Sequence, residues 1–130
     1  MIKPHLDWAS LLMRVSLGGM FFLHGIGKPL IVGMAQVSQG FIEKGCPVWT
    51  HYAATLIEII GGLMLVLGIY SRWAAVALLP VTLGIILYHF PYGWVFHNPG
   101  GGWEYPQLIF VSLVTILFLG GGKYSVTRDL

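Results

Sequence analysis

Four apolar stretches, at 8–27, 52–70, 73–90 and 105–119, take up most of a 130-residue chain. A helix needs roughly 20 residues, at ~1.5 Å each, to cross about 30 Å of hydrocarbon. The first three stretches approach or exceed that length, and the fourth reaches it by running on to Gly122. Only 9% of the residues are charged while 56% are hydrophobic, which excludes a water-soluble domain of this size. The expected fold is all-α: an integral membrane four-helix bundle, one domain over 1–130, with helices at about 7–28, 51–70, 72–90 and 104–121.

Between the first two helices, Leu30, Met34, Val37 and Phe41 recur at helical spacing, with Gln36, Gln39 and Glu43 on another face. This predicts a short amphipathic helix at the membrane interface, ended by Gly45 and Pro47, that could also act as a lid on the bundle. The first apolar run contains Asp7 and Arg14 and ends in His24-Gly25-Ile26-Gly27-Lys28-Pro29, unlike a cleaved leader, so it is expected to be retained as the first helix.

A net charge of +2, broken up by apolar runs, gives no basic face for nucleic acid, and the expected surroundings are lipid. The single cysteine, Cys46, excludes an internal disulfide and a Cys-x-x-Cys pair, and reads as a loop thiol. Lys3, Arg72, Lys123 and Arg128 fall on the side of the termini, against Lys28 and Lys44 on the other. The positive-inside rule then puts both termini in the cytoplasm. Gly68-Ile69-Tyr70-Ser71 and Gly122-Lys123-Tyr124-Ser125 close the second and fourth helices, a weak sign of two related hairpins.

An ionisable side chain at the centre of a membrane helix costs about 2.5–3.5 kcal/mol on insertion scales, so each one needs a partner or a task. Arg14, His24 and Lys28 lie within one broad stripe of the first helix, which is expected to face inward. Glu58 lies near the depth of His24, while His89 ends the third helix and Glu104 begins the fourth. A polar chamber is therefore expected near the outer face, with His24 and Glu58 as candidate catalytic residues and Arg14, Lys28, His89 and Glu104 as candidate substrate contacts. Arg14 and Glu58 are further expected to be coupled as a buried ion pair. His5, His51 and His97 read as surface groups. Gly18, Gly19, Gly61, Gly62, Gly68 and Gly84 are expected where helices approach closely, and Pro80 is expected to kink the third helix.

Arg14, His24-Gly25-x-x-Lys28, Glu58-x-x-Gly61-Gly62, Arg72, His89, Gly101-Gly102-x-Glu104-Tyr105 and the Gly122 to Ser125 ending together resemble the DoxX family of small bacterial membrane proteins. The resemblance implies a bacterial inner-membrane protein related to subunits of quinone-linked oxidoreductases and of respiratory or oxidative-stress complexes. On that reading the chamber takes a quinone headgroup, with no metal site and no covalently held cofactor expected. The alternative is a non-catalytic anchor or assembly partner for a soluble oxidoreductase. The orientation is tested by labelling intact cells with an impermeant thiol reagent: cysteines introduced at Lys3 and Arg128 stay shielded while Cys46 reacts, and labelled termini would reverse the assignment.

Overall fold

The computed structural model describes residues 3–127, with side chains from residue 4 onward, so Arg128 and the side chain of Lys3 lie outside the described residues. Five α-helices follow in order: α1 (Lys3–Gly27), α2 (Met34–Glu43), α3 (Val48–Leu67), α4 (Ser71–His89) and α5 (Glu104–Leu119). A π turn over Lys28–Val32 links α1 to α2, and a 3-10 turn over Phe90–Tyr92 follows α4. The long helices form an all-α bundle in which α1 packs on α3, α3 on α4, α4 on α5 and α5 back on α1. Residues 3 and 127 lie at one end, here the terminal end; the opposite end is the distal end.

The segments containing α1, α3 and α4 are long and apolar enough to cross a membrane. Helix α5 has 16 residues and so spans ~24 Å, because Gly120, at φ 69°, stops it three residues before its apolar stretch was expected to end. The surface supports a lipid setting, since Leu12, Leu23, Leu56, Leu83, Leu108 and Phe118 all face outward. A small core of Phe21, Leu65, Leu78, Leu113 and Ile116 lies inside.

Between lipid-soluble helices hydrophobic burial gives little drive for association, so close backbone packing matters more. Helices α1 and α3 run antiparallel with their backbones almost in contact. A Cβ at Gly18 would lie 2.6 Å from the Gly62 carbonyl oxygen, and one at Gly62 would lie 2.6 Å from the Phe22 nitrogen. Further along, a Cβ at Gly25 would lie 2.6 Å from Ile59 Cγ1. Gly61 makes room on the other side of α3 for Leu78 of α4. The expectation of close approach fails at Gly19 and Gly84, where an added Cβ meets nothing within 4 Å.

At the terminal end Gly68 closes α3 in the left-handed conformation, φ 74°, with Gly68 N–H donating to Leu65 O and Ile69 N–H to Met64 O. The tail after α5 folds back onto this cap: Val126 N–H donates to Leu67 O at 3.2 Å and Thr127 N–H to Gly68 O at 3.1 Å. The two Gly-x-Tyr-Ser segments thus meet, with the Ser125 Cβ 2.4 Å from where a Gly68 Cβ would be.

At the distal end α2 lies over α3, as its amphipathic pattern predicts. The Lys44 ammonium just beyond it donates to the Tyr92 hydroxyl and sits 4.8 and 4.6 Å from the Tyr88 and Tyr92 ring centroids. The hydrogen bond to Tyr92 is the main reason Lys44 is held above the usual lysine range. Cys46 is exposed nearby. Inside α4, Pro80 gives up one helical donor. Thr82 donates to the Leu78 carbonyl at 2.9 Å and not to that of Val76, which Pro80 leaves without its usual partner.

Gly62→Ala pushes a methyl into backbone atoms of α1 that cannot rotate away, so it should destabilise the bundle by about 1–3 kcal/mol. Gly84→Ala, in open space, should be neutral or mildly stabilising. Thermal unfolding of the two variants in detergent measures the contrast, and equal stability would rule out the close contact.

Candidate functional site

The distal half of α1 and α3 holds one ion pair. Lys28 Nζ donates to Glu58 Oε2 at 2.7 Å, and no other ion pair occurs among the described residues. Gly25 makes this geometry available: without a side chain it lets α1 lie against Glu58 Cβ and Ile59, and Lys28, one turn on, then reaches the carboxylate. The Lys28 side chain is 23% exposed and that of Glu58 only 5%. One end of the pair therefore opens outward while the other is buried.

A second buried polar residue accompanies the pair. His51 is fully buried, between the rings of Phe41 on α2 and Tyr52, with centroids 5.3 and 4.4 Å away. Its Nε2 lies 2.6 Å from Ser38 Oγ of α2. Thr55, also buried, donates its hydroxyl to the His51 carbonyl at 2.8 Å. His51, Thr55 and Glu58 fall on one stripe of α3, and Lys28 is close enough for its charge to be felt at the His51 ring.

This corrects the reading of His51 as a surface group. Its position near a helix end suggested exposure, but α2 covers it. The signal available in the sequence was the spacing of His51, Thr55 and Glu58, which puts three polar side chains on one face of an apolar helix.

The other candidates do not gather around Glu58. His24 is exposed on α1 and makes no hydrogen bond within the described residues. The inward polar stripe of α1 is thus divided, with Arg14 and Lys28 turned towards α3 and His24 turned away. His89 is half-buried, with Nδ1 against the Ile85 carbonyl of its own helix at 2.8 Å and its ring edge against Gly101. Glu104 is half-buried and accepts from the Phe96 N–H at 3.3 Å. It belongs to the folded 93–103 segment, where Trp103 meets Trp94 and Phe90 with centroids 4.4 and 5.5 Å away. No hydrogen bond or ion pair joins His24, His89 or Glu104 to the Lys28–Glu58 pair among the described residues.

Arg14 does not pair with Glu58. It is fully buried near the terminal end, where Nη1 donates to the Leu65 and Val66 carbonyls at 3.0 and 3.4 Å. Nη2 donates to the Tyr124 carbonyl at 2.9 Å, and Nε reaches Ser10 Oγ at 3.4 Å. Ser10 in turn donates to the Gly120 carbonyl at 2.6 Å. The last carbonyls of a helix have no intrahelical donor and carry the negative end of its dipole, so a guanidinium there is favourable without a carboxylate. Arg72 acts similarly on α5: its Nε donates to the Leu117 carbonyl at 2.9 Å, three residues before Gly120, as Leu65 is three before Gly68. Each hairpin, α1–α3 and α4–α5, thus has an arginine from its first helix at the end of its second.

An all-α, multi-pass membrane bundle with a buried ammonium–carboxylate pair under a short amphipathic helix defines the class of this protein. The DoxX family model matches residues 9–98, more than half of the chain, and the chain belongs to the DoxX family. The match runs from α1 to the loop after α4 and ends before α5, so the residues around Glu104 and Gly122 lie outside it. The chain is similar to the protein named "Putative oxidoreductase CatD" of Bacillus subtilis (strain 168), at 35% identity over 78 residues. That alignment covers 60% of this chain and 57% of the relative's length. No solved structure matches the chain significantly.

The geometry makes Lys28 and Glu58 energetically coupled and Arg14 and Glu58 independent. Removing one partner of a buried pair costs about 3–5 kcal/mol, and the partial exposure of Lys28 should bring this down to about 1–3 kcal/mol, towards the range of exposed pairs. In a double-mutant cycle read by thermal unfolding, Lys28→Met with Glu58→Gln should cost less than the two single losses added together. Arg14→Met with Glu58→Gln should be additive.

Proposed function

We propose that the chain is a membrane subunit of a quinone-linked oxidoreductase, or of a respiratory or oxidative-stress complex, in the bacterial inner membrane with both termini cytoplasmic. Membership of the DoxX family and the name of the Bacillus subtilis relative support a membrane protein associated with oxidoreductase function. The observation that carries the finer reading is the Lys28–Glu58 pair, a carboxylate held 2.7 Å from an ammonium inside an apolar bundle.

Reducing a quinone to a quinol takes two electrons and two protons. This chain's part is to handle the protons, while a soluble oxidoreductase partner supplies the electrons. Glu58 is nearly inaccessible to water, so a change in its protonation must be coupled to its single charged neighbour, Lys28. Lys28 is the more exposed of the two and links Glu58 to the surroundings. His24, one turn before Lys28 and exposed, is placed to exchange protons with the medium or a partner, which keeps it in the reading as a relay. His89 and Glu104 form the other side of the distal end and remain candidate contacts for the substrate. Arg14 has a structural task, since four oxygens already engage its guanidinium.

The anchoring alternative draws on that last point. At the terminal end Arg14 is used in holding helices together, and a bundle built this way could serve only to place a soluble oxidoreductase at the membrane. The two readings separate on Glu58→Gln, which keeps the size of the side chain and loses its proton chemistry. It should abolish quinone-dependent turnover of the host complex while leaving assembly intact. His24→Asn should lower turnover, and His97, exposed in the 93–103 segment, should tolerate replacement. Full turnover with both Glu58→Gln and His24→Asn would leave anchoring as the better account.

A further inference from the structure

His51 is fully buried, yet only one of its two ring nitrogens has a partner: Nε2 meets Ser38 Oγ at 2.6 Å, while Nδ1 has none among the described residues. Buried polar atoms in folded proteins nearly always have one. The position of the ring proton follows from counting donors. The Ser38 hydroxyl makes no other hydrogen bond, so it donates its proton to Nε2, and a neutral imidazole accepting at Nε2 carries its proton on Nδ1. Nδ1 is therefore a buried donor in need of an acceptor. Thr55, the next polar residue along the stripe, directs its hydroxyl to the His51 carbonyl. The surroundings are otherwise aromatic, with Phe41 and Tyr52 against the ring.

We propose that His51 is a ligand-binding residue whose Nδ1–H donates to a carbonyl oxygen of the quinone headgroup, beside the Lys28–Glu58 pair. This rests on the quinone reading above and adds the residue that orients the ring. A quinone matches the site chemically, because its flat face suits Phe41 and Tyr52 and its oxygens only accept. Carbonyls on opposite edges of one ring offer one acceptor to His51 and another to the Lys28 ammonium. Ser38 fixes the imidazole, so α2 takes part in the site as the element that holds His51 in its binding tautomer.

The test uses the full chain in lipid nanodiscs, with decylubiquinone binding followed by tryptophan fluorescence quenching. Asparagine places its amide nitrogen near the position of Nδ1, and glutamine places its own near Nε2. His51→Asn should bind within about threefold of the wild type, whereas His51→Gln, which keeps the contact to Ser38, should bind about tenfold more weakly. The reverse order would mean that His51 serves only to hold α2 and would overturn the proposal. Unchanged binding in both variants would overturn it too, leaving a water as the partner of Nδ1. A measurement without variants stands beside these: in the ¹⁵N NMR spectrum of the histidine-labelled wild type, decylubiquinone should shift the His51 Nδ1–H resonance. A bound quinone that leaves this resonance unmoved would refute the assignment to His51 alone, while absence of quinone binding by the wild type would bring down the quinone reading and this inference with it.

Discussion

The near-contact of the α1 and α3 backbones, at Gly18 and Gly62 and again at Gly25 and Ile59, is what the rest of the structure depends on. Two antiparallel helices this close have little freedom to slide. Their fixed register sets Arg14 opposite the last turn of α3 and Lys28 opposite Glu58. A bulkier residue at any of these glycines would separate the helices and draw both cations away from their acceptors. Small-residue packing is therefore the condition for the polar contacts.

Those polar contacts divide between the two ends of the bundle. At the terminal end the arginines satisfy carbonyls. The last turn of α3 is fully accounted for, with Met64 and Leu65 accepting from the Gly68 cap, Leu65 and Val66 from Arg14 and Leu67 from the tail. Such completeness is what an apolar environment demands of a helix end. The distal end is less closed: Lys28 is partly exposed, and one nitrogen of His51 is left without an acceptor. Structural tasks use up the charges at one end, and capacity for chemistry is left at the other.

Helix α2 joins the two halves of the distal end. Ser38 ties it to α3 through His51, and Lys44 just beyond it reaches Tyr88 and Tyr92 after α4. Both attachments are single polar contacts on a surface segment that lacks buried residues, so α2 is held more weakly than the helices beneath it. A cover of this kind suits a site whose ligand arrives from lipid.

The amino-acid sequence by itself determined that the chain forms membrane helices, because four apolar runs of that length have no other stable environment. It also placed the amphipathic α2, marked Gly18 and Gly62 as contact points, and put Lys28 and Glu58 near one depth. Depth along the membrane normal is, however, only one coordinate. Which residues meet also depends on the rotation of each helix about its axis and on which neighbour it faces. Arg14 and Glu58 both lie inside the membrane, yet the α1–α3 register gives Arg14 the carbonyls of Leu65 and Val66 and gives Glu58 to Lys28. His24 shares a stripe with Lys28 by angle, but α3 contacts only part of that stripe and leaves His24 outside. His51 was hidden for a different reason: its burial comes from α2 lying across α3, a contact between segments that local periodicity does not encode. The tertiary structure decided the partners because hydrogen bonds and ion pairs act over about 3 Å, a distance that only the packing of one helix against another can set.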